Sequence, residues 1–566
     1  MDDFVFGPLA TSNRRLDHAR QRRQGVQHQH RIAPRAPQAG DSPVVTVTVG
    51  CEQAITAVFC HLTLPNQPTQ TVALQPVRTE WDLLNWQYQQ IWQGQLPPQP
   101  TGTLVRYTIA AQPRLGEPIL ADDGAVFSYY VGSPDPPDWA VGAIVYQIFP
   151  DRFYPGNGRS WNPTTHLSDI HGGTLRGIIE QLDYVADMGF NTIWLNPFFP
   201  DHTHHGYHAS DYLSVNPRLG TLADVVELVA QAHQRGIRLL LDFVANHWGS
   251  QHPTFQAARA DRHSLYHDWY KWEQWPDRYA TFFGVADLPE LNVDNPAVRD
   301  HLFQVVGFWL GDVGFDGLRL DYALGPSHDF WTELRAVVKQ IKPDAWIFGE
   351  AVQTPEAQLT YIGRFDGCLD FLLAQALRDT FAAGRMSLTA FDAFLHQHET
   401  YFPTTFSRPS FLDNHDMNRF LWLAGSDTQK LKLAALSQFT LSGSPIVYNG
   451  TEVGVSQRRG IRDEGSHGME ESRQPMRWGA EQNADLSDYF RWLIGLRREG
   501  GKVWSNGRLQ THHLNEANQT YAYSRSHNNI AFAVAFNLSD ATQTIPLAPN
   551  QTITLPPRQG TVKQLS

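Results

Sequence analysis

Hydrophobic and polar positions change rhythm twice along this chain. Between about 40 and 130 they alternate. "PVVTVTV", "ITAVFCHLTL", "TLVRYTIAA" and "AVFSYYV" set apolar residues at every second position, with turn formers between them. A period of two marks strands with one covered face, and several short ones in succession predict a small β-sandwich. The prolines of "GSPDPPDW" (132–139) cannot enter a central strand and mark its end.

Beyond that point the strands become short, continuously apolar runs. They are "AIVYQIFP" (143–150), "NTIWLNPFFP" (191–200), "RLLLDFVANH" (238–247), "DGLRLDY" (316–322), "AWIFGEAV" (345–352), "GCLDFLL" (367–373), "SFLDNHD" (410–416) and "PIVYNG" (445–450). Helical periodicity falls between several of them, at 175–190, 222–237, 296–311, 328–341 and 430–441; in the first, Ile178, Leu182, Val185 and Met188 recur at helical spacing. Strands covered on both faces, mostly separated by helices, predict an α/β fold of the (β/α)8 TIM barrel type. A doubly wound sheet would offer fewer strands and a Gly-rich phosphate turn, which this stretch lacks. The segment 248–292 is too long for an ordinary loop and reads as a small subdomain inserted after strand three, over the barrel mouth. Alternation returns from about 502 ("NNIAFAVAFNLS", "TITLPP"). The predicted organisation is an N-terminal β-sandwich over 1–135, a catalytic-type barrel over 136–500 and a C-terminal β-domain over 501–566.

Composition narrows the function classes. A length of 566 residues, 42% hydrophobic and 18% charged, describes a globular chain of two to four domains. A net charge of −12 argues against nucleic acid as a partner. The cluster Arg14, Arg15, Arg20, Arg22 and Arg23 sits in a short Gln- and His-rich start that reads as a mobile or solvated terminus. No run approaches the roughly 20 apolar residues of a membrane span, and the start lacks the pattern of a signal peptide. Cys51, Cys60 and Cys368 form no disulfide framework or zinc spacing; a Cys51–Cys60 pair is the alternative to the free buried thiols expected. Together these features favour a cytoplasmic protein.

Candidate chemistry follows from where the strands end, because in a barrel the C-terminal strand ends converge on one pocket. Asp242, Asn246 and His247 close the third strand, and Arg319 and Asp321 the fourth. Glu350 closes the fifth, and Asp413, Asn414, His415 and Asp416 the seventh. Side chains two apart on a strand share a face, so Arg319 and Asp321 both point into the mouth. The guanidinium should keep its neighbouring carboxylate ionised, as a nucleophile requires, with Asp242 bracing it. Two carboxyls flanking a sugar bond cleave it as nucleophile and proton donor; Asp321 and Glu350 are the candidates, with Asp416 a third acid stabilising developing positive charge. Singly, each motif reads as a strand end or an Asx turn. Their occurrence in order at successive strand ends reverses that reading.

The ordered set "DFVANH", "GFDGLRLDY", "FGEA" and "FLDNHD", with "YQIFPDRF", "GYHASDY" and "FFGVADLPELNVDNPAVRDHL", resembles the α-amylase superfamily of retaining α-glucan enzymes over about 140–480. The resemblance implies that Asp321 is the nucleophile, Glu350 the acid/base and Asp416 the transition-state stabiliser. It implies that Arg319, His247 and His415 hold the sugar and that Tyr207 stacks on it. The N-terminal sandwich and "FFGVADLPELN" are most similar to the neopullulanase, cyclomaltodextrinase and maltogenic amylase branch. That likeness implies an α-glucan oligosaccharide substrate with α-1,4 or α-1,6 bonds, and leaves a homodimer through the N-terminal domain open.

Three stretches depart from the family pattern: "LPELN" (288–292), "YALGPSH" (322–328) and Gly172-Gly173-Thr174, where many relatives carry an Asp near a calcium site. No cofactor is required. A structural calcium, outside bond cleavage, stays an alternative that Asp151, Asn157 and Asn162 would ligate in part. Of the aromatics in the inserted segment (Trp269, Tyr270, Trp272, Trp275, Tyr279, Phe282, Phe283), about half should be core, with Phe282 and Phe283 the first choices for an acceptor-side platform. A 4-α-glucanotransferase using the same covalent intermediate is the alternative activity. A catalytically silent glucan-binding protein is a third reading, which the retention of all three acids disfavours.

Overall fold

The computed structural model describes residues 16–565 except 18, 19, 22, 52, 53 and 66. Arg14, Arg15 and Arg22 therefore lie outside the described residues. Arg23 is docked rather than loose, in an ion pair with Asp82 at 3.2 Å.

Eight parallel strands form the central sheet: β1 (Val145–Ile148), β2 (Thr192–Leu195), β3 (Arg238–Val244), β4 (Gly317–Asp321), β5 (Trp346–Gly349), β6 (Gly367–Cys368), β7 (Ser410–Phe411) and β8 (Pro445–Tyr448). Their spatial order is β6-β5-β4-β3-β2-β1-β8-β7. Around a ring, that is sequence order with one seam between β6 and β7. The seam is closed by an isolated bridge between Gly367 and Ser407 and by Asp370 N donating to Pro409 O at 2.9 Å. Helices including Leu222–Gln234, Pro296–Val306, His328–Ile341 and Thr428–Thr440 cover the outside. Each begins where a side chain accepts a backbone N–H: Thr221, Asn295, Ser327 and Asp427.

One predicted strand is shorter than its apolar run. "GCLDFLL" yields only two strand residues, because Asp370 accepts from Leu373 N and starts the helix Phe371–Leu377. The cap overrides the β-like composition.

Residues 26–130 form a nine-stranded antiparallel arrangement. Its long strand Gln70–Asp82 pairs with Ile55–Thr63 through its first half and with Gln87–Gln95 through its second, so two layers share one strand. Val45, Val47, Val58, Cys60, Leu62 and Val105 fill the space between. This β-domain is fastened to the barrel helix His328–Ile341: Arg106 pairs with Asp329 at 2.9 Å and Glu333 at 2.7 Å, and the His30 ring stacks on His328 at 3.9 Å.

The inserted segment folds as the helix Pro253–Ala260 and the hairpin Trp272–Gln274/Arg278–Tyr279, and returns to the barrel through bridges His247–Glu290 and Tyr270–Leu291. Trp269 and Tyr270 are core, while Phe283 is 59% exposed. A four-stranded antiparallel sheet (Arg508–Asn515, Thr520–His527, Ile530–Asn537, Gln559–Leu565) with a separate hairpin ends the chain. All three cysteines are free; Cys60 and Cys368 are buried as expected, but Cys51 is exposed. No helix among the described residues is long and apolar enough to cross a membrane.

Candidate active site

Register brings the polar strand ends together. Asp242 on β3 lies opposite Arg319 on β4, and Leu320 opposite Gly349, so Glu350 leaves β5 one residue above. The Arg319 guanidinium is fully buried and is the hub of the group. Its Nη1 donates to Asp242 Oδ1 and Asp321 Oδ1, both at 2.7 Å, and its Nη2 forms an ion pair with Glu350 Oε2 at 2.8 Å. Its positive charge is therefore shared by three carboxylates. The sequence predicts the bonds to Asp321 and Asp242; the contact with Glu350 is what the structure adds.

Asp242 is held by a ring of donors. Its Oδ2 accepts from Trp194 Nε1 (3.0 Å), Asn196 Nδ2 (3.2 Å) and the Tyr207 hydroxyl (2.8 Å). Burying an ion pair costs more than its attraction returns unless the remaining lone pairs are satisfied, and those of Asp242 are. Arg319 also lies over the Trp194 ring at 4.9 Å.

Asp321, Glu350 and Asp416 line one cleft of about 380 Å³ with Tyr207, His247, Phe282 and Phe283. Arg319, His415, Asp242 and Asn246 stand behind that lining. Asn246 Nδ2 contacts His247 Nδ1 at 3.3 Å, and the Phe282 ring lies 4.5 Å from His247. His415 receives Gln147 Nε2 on Nδ1 at 2.8 Å, which leaves the proton on Nε2, facing the Tyr207 hydroxyl at 2.7 Å and Asp416 at 3.1 Å. Its ring is parallel to that of Tyr207. Within "DNHD" the labour is divided. Asp413 accepts from Phe420 N and Thr451 Oγ1, and Asn414 accepts from Asp416 N, so these two shape the turn that presents Asp416.

Electrostatics differ across the cleft. Burial, together with the charges of Asp416 and Asp242, outweighs Arg319 and pushes Glu350 up to about 7. Burial is also the largest influence on Asp321 and drives it upward, opposed by the direct bond from Arg319. For Asp416 burial is outweighed in the other direction. His415, Arg473 and Arg319 hold it below the usual carboxylate range, with Arg473 Nη2 donating at 2.9 Å. Burial drops His415 and His247 to about 3, so both are neutral hydrogen-bonding groups at pH 7, and Arg473 is the effective cation beside Asp416.

Tyr322 and Phe283 both adopt left-handed backbone, at φ 38° and 48°. Non-glycine residues in that region carry strain that gathers at functional sites. Tyr322 turns its N–H toward Glu350 Oε2 (3.2 Å), and the two rings meet at 5.3 Å above the cleft.

Arg473, Met469, His205, His208, Val285 and Leu288 also line the cleft and escaped the sequence reading. Arg473 and Met469 come from a long loop after β8 with no apolar run ahead of them. Proximity to "GYHASDY" was the available signal for His205 and His208. Of the residues weighed for calcium, Asp151 has its carboxylate engaged within the protein. Asp151 accepts from His171 N and Gly172 N at 3.0 Å and pairs with Arg152 at 2.9 Å, while Asn162 Nδ2 donates to Ile170 O. A guanidinium already supplies positive charge at Asp151.

Comparison with known proteins agrees with this geometry. The model of the α-amylase catalytic domain matches residues 147–521. The chain is 32% identical to alpha-amylase 2 of Dictyoglomus thermophilum, over 88% of this chain and 86% of that one. It is 33% identical to neopullulanase 2 of Thermoactinomyces vulgaris, over 73% and 72% of the two chains. Among solved structures it is similar to the ligand-free cyclic α-maltosyl-(1→6)-maltose hydrolase of Arthrobacter globiformis, with a TM-score of 0.70 and 30% identity, covering 76% of this chain and all of the other.

Proposed function

The chain belongs to the α-amylase family, in its neopullulanase, cyclomaltodextrinase and maltogenic amylase branch, and from that membership we propose a double displacement centred on Asp321 and Glu350. It is a retaining α-glucan hydrolase acting on α-1,4 and related glucosidic bonds. One observation carries the assignment of residues: a single buried guanidinium gathers Asp321 and Glu350 at adjoining strand ends over a cleft that Asp416 completes.

Asp321 attacks the anomeric carbon. Asp321 accepts a hydrogen bond from Arg319 where Glu350 has an ion-pair contact alone, so of this coupled pair we place the charge on Asp321 and the proton on Glu350. Glu350 Oε1 is buried without a hydrogen-bond partner and is the oxygen free to hold that proton. It passes to the departing glycosidic oxygen as the C–O bond breaks and the bond to Asp321 forms. Glu350, now ionised, takes a proton from water as that water opens the ester, and the configuration at C1 is retained. Asp416, kept anionic by Arg473, faces the positive charge developing on the ring. Neutral His247 serves a sugar hydroxyl, and Tyr207, whose hydroxyl is held by Asp242 and His415, offers its ring to the sugar. Phe282, Phe283 and Tyr322 offer rings to an acceptor-side sugar.

The preferred substrates in this reading are cyclic and short α-glucans. A cleft of about 380 Å³ suits one or two rings, and the relatives' names point to cyclomaltodextrins and pullulan. β-Cyclodextrin, pullulan and soluble starch should be hydrolysed in that order of kcat/KM, with the α-anomer as first product by NMR. A β-anomer would rule out the covalent intermediate, and preference for starch would rule out the substrate assignment.

We extend the reading to a homodimer through the N-terminal β-domain. The supporting observation is its exposed cluster of Trp81, Trp86 and Tyr88, whose rings meet at 5.0 and 5.5 Å on the Gln70–Asp82/Gln87–Gln95 hairpin. Sedimentation of the wild type against Trp86→Ser tests it: a monomer in both would refute the pairing.

A further inference from the structure

The loop 201–208, "DHTHHGYH", carries four histidines, and the glycosidic chemistry uses none of them directly. Two are committed locally. His204 Nε2 pairs with Glu470 Oε2 at 2.7 Å, and His205 Nδ1 accepts Tyr207 N at 3.1 Å. The other two flank Asp201, and one ligand atom each of Asp201, His202 and His208 lie within 4.8 Å of one another. We propose that Asp201, His202 and His208 form a binding site for one Zn²⁺ ion at the rim of the cleft.

Three features of the site support it. First, the carboxylate is already oriented, as ligands held by outer hydrogen bonds are. Asp201 Oδ1 accepts Thr203 N at 2.7 Å, and Oδ2 accepts Thr203 Oγ1 at 2.7 Å and His208 N at 3.0 Å. Oδ1 keeps a lone pair on the side of His202 Nδ1, 3.6 Å away. Second, His208 Nδ1 is buried and has no hydrogen-bond partner among the described residues, the condition of a nitrogen lacking its ligand. Third, the His202 side chain is 41% exposed, which leaves an entry path and a fourth position for water.

One carboxylate and two imidazoles form a donor set typical of zinc, at about 2.0–2.2 Å from the metal, which puts the ligand atoms roughly 3.4 Å apart. Rotation of the exposed His202 ring supplies the closing movement of about an ångström. The bound ion would clamp the loop whose Tyr207 bonds Asp242 and meets His415.

Calorimetric titration of the chelator-stripped full chain with zinc chloride tests the site without reference to activity. One zinc per chain is expected in the wild type and in Glu350→Gln. His202→Gln and His208→Gln should each weaken it by roughly tenfold or more. His202→Gln should fold normally and retain its glucan hydrolysis, since His202 is outside the cleft lining. Zinc should raise the melting temperature of the wild type and leave that of His202→Gln unmoved. The proposal is overturned if no site is detected, if binding survives His202→Gln, or if it disappears in Glu350→Gln, which would put the ion among the cleft carboxylates. None of these outcomes bears on the roles of Asp321 and Glu350 in hydrolysis.

Discussion

A single guanidinium sets the protonation pattern at the scale of the residue. Arg319 touches Asp242, Asp321 and Glu350, and three carboxylates in one buried pocket cannot all be ionised beside one cation without strong repulsion. If Glu350, near 7, acts while protonated as proposed, kcat/KM should fall as pH rises through about 7. Glu350→Gln should lose that alkaline limb and most turnover, yet release a burst of about one equivalent of fluoride from α-glucosyl fluoride, whose leaving group needs no proton, before the ester waits on the missing base. An unchanged limb in the variant would remove Glu350 from the role. Asp321→Asn should lower turnover by roughly 10⁴-fold or more on both substrates, with its circular dichroism unaltered. The residues proposed to carry this chemistry were legible because each closes an apolar run, so sequence position and spatial position coincide. Arg473 was not. It reaches Asp416 from a loop whose path depends on contacts such as Arg473 Nε to His415 O, which no periodicity encodes.

Elements were legible wherever one pattern had a single interpretation. Eight apolar runs gave eight strands, and helical periods gave helices, because burial on two faces and on one face write different sequences. The sixth strand was the exception, since an N-cap aspartate at 370 competes with its own apolar surroundings. Gly317 shows how tightly the elements then fit. It opens β4, and a Cβ there would lie 2.1 Å from Trp346 O and 2.9 Å from Leu240 Cδ2. Backbone cannot yield as a flexible side chain can, so the glycine permits the approach of β4 to β5 that brings Arg319 to Glu350. Gly317→Ala should therefore destabilise the chain by about 1–3 kcal/mol and reduce kcat, measured by thermal unfolding and initial rates. A variant with wild-type stability would show that the strands tolerate separation and that their spacing does not position the carboxylates.

At the scale of the whole molecule, the attachment of the N-terminal β-domain is built from histidines that the fold keeps neutral. His30 stacks on His328 of the barrel helix and lies near His28, with Arg364 and Arg31 as the nearby cations. His28 is held by Thr46 O and the Tyr107 hydroxyl, and His328 by Thr360 Oγ1. Asp122 is occupied by the N–H groups of His28 and Gln29, and Asp329 by Arg106 and Arg299. Burial lowers His28 to about 3 and drives His30 and His328 well below their ordinary value. The unfolded chain therefore binds protons below about 6.5 that the folded chain refuses, and folding stability falls as pH drops from there toward the folded values. Each such histidine contributes up to roughly 1.4 kcal/mol per pH unit in that window. His205, His247 and His415 around the cleft act with the same sign. Calorimetric melting temperature should accordingly be level above pH 7 and decline steeply between pH 6.5 and 5. His328→Phe keeps a ring against Tyr361 and His30 but cannot be protonated, so it should make that decline shallower. Equal slopes in wild type and variant would mean that the seam tolerates charge and that the acid lability arises around the cleft alone.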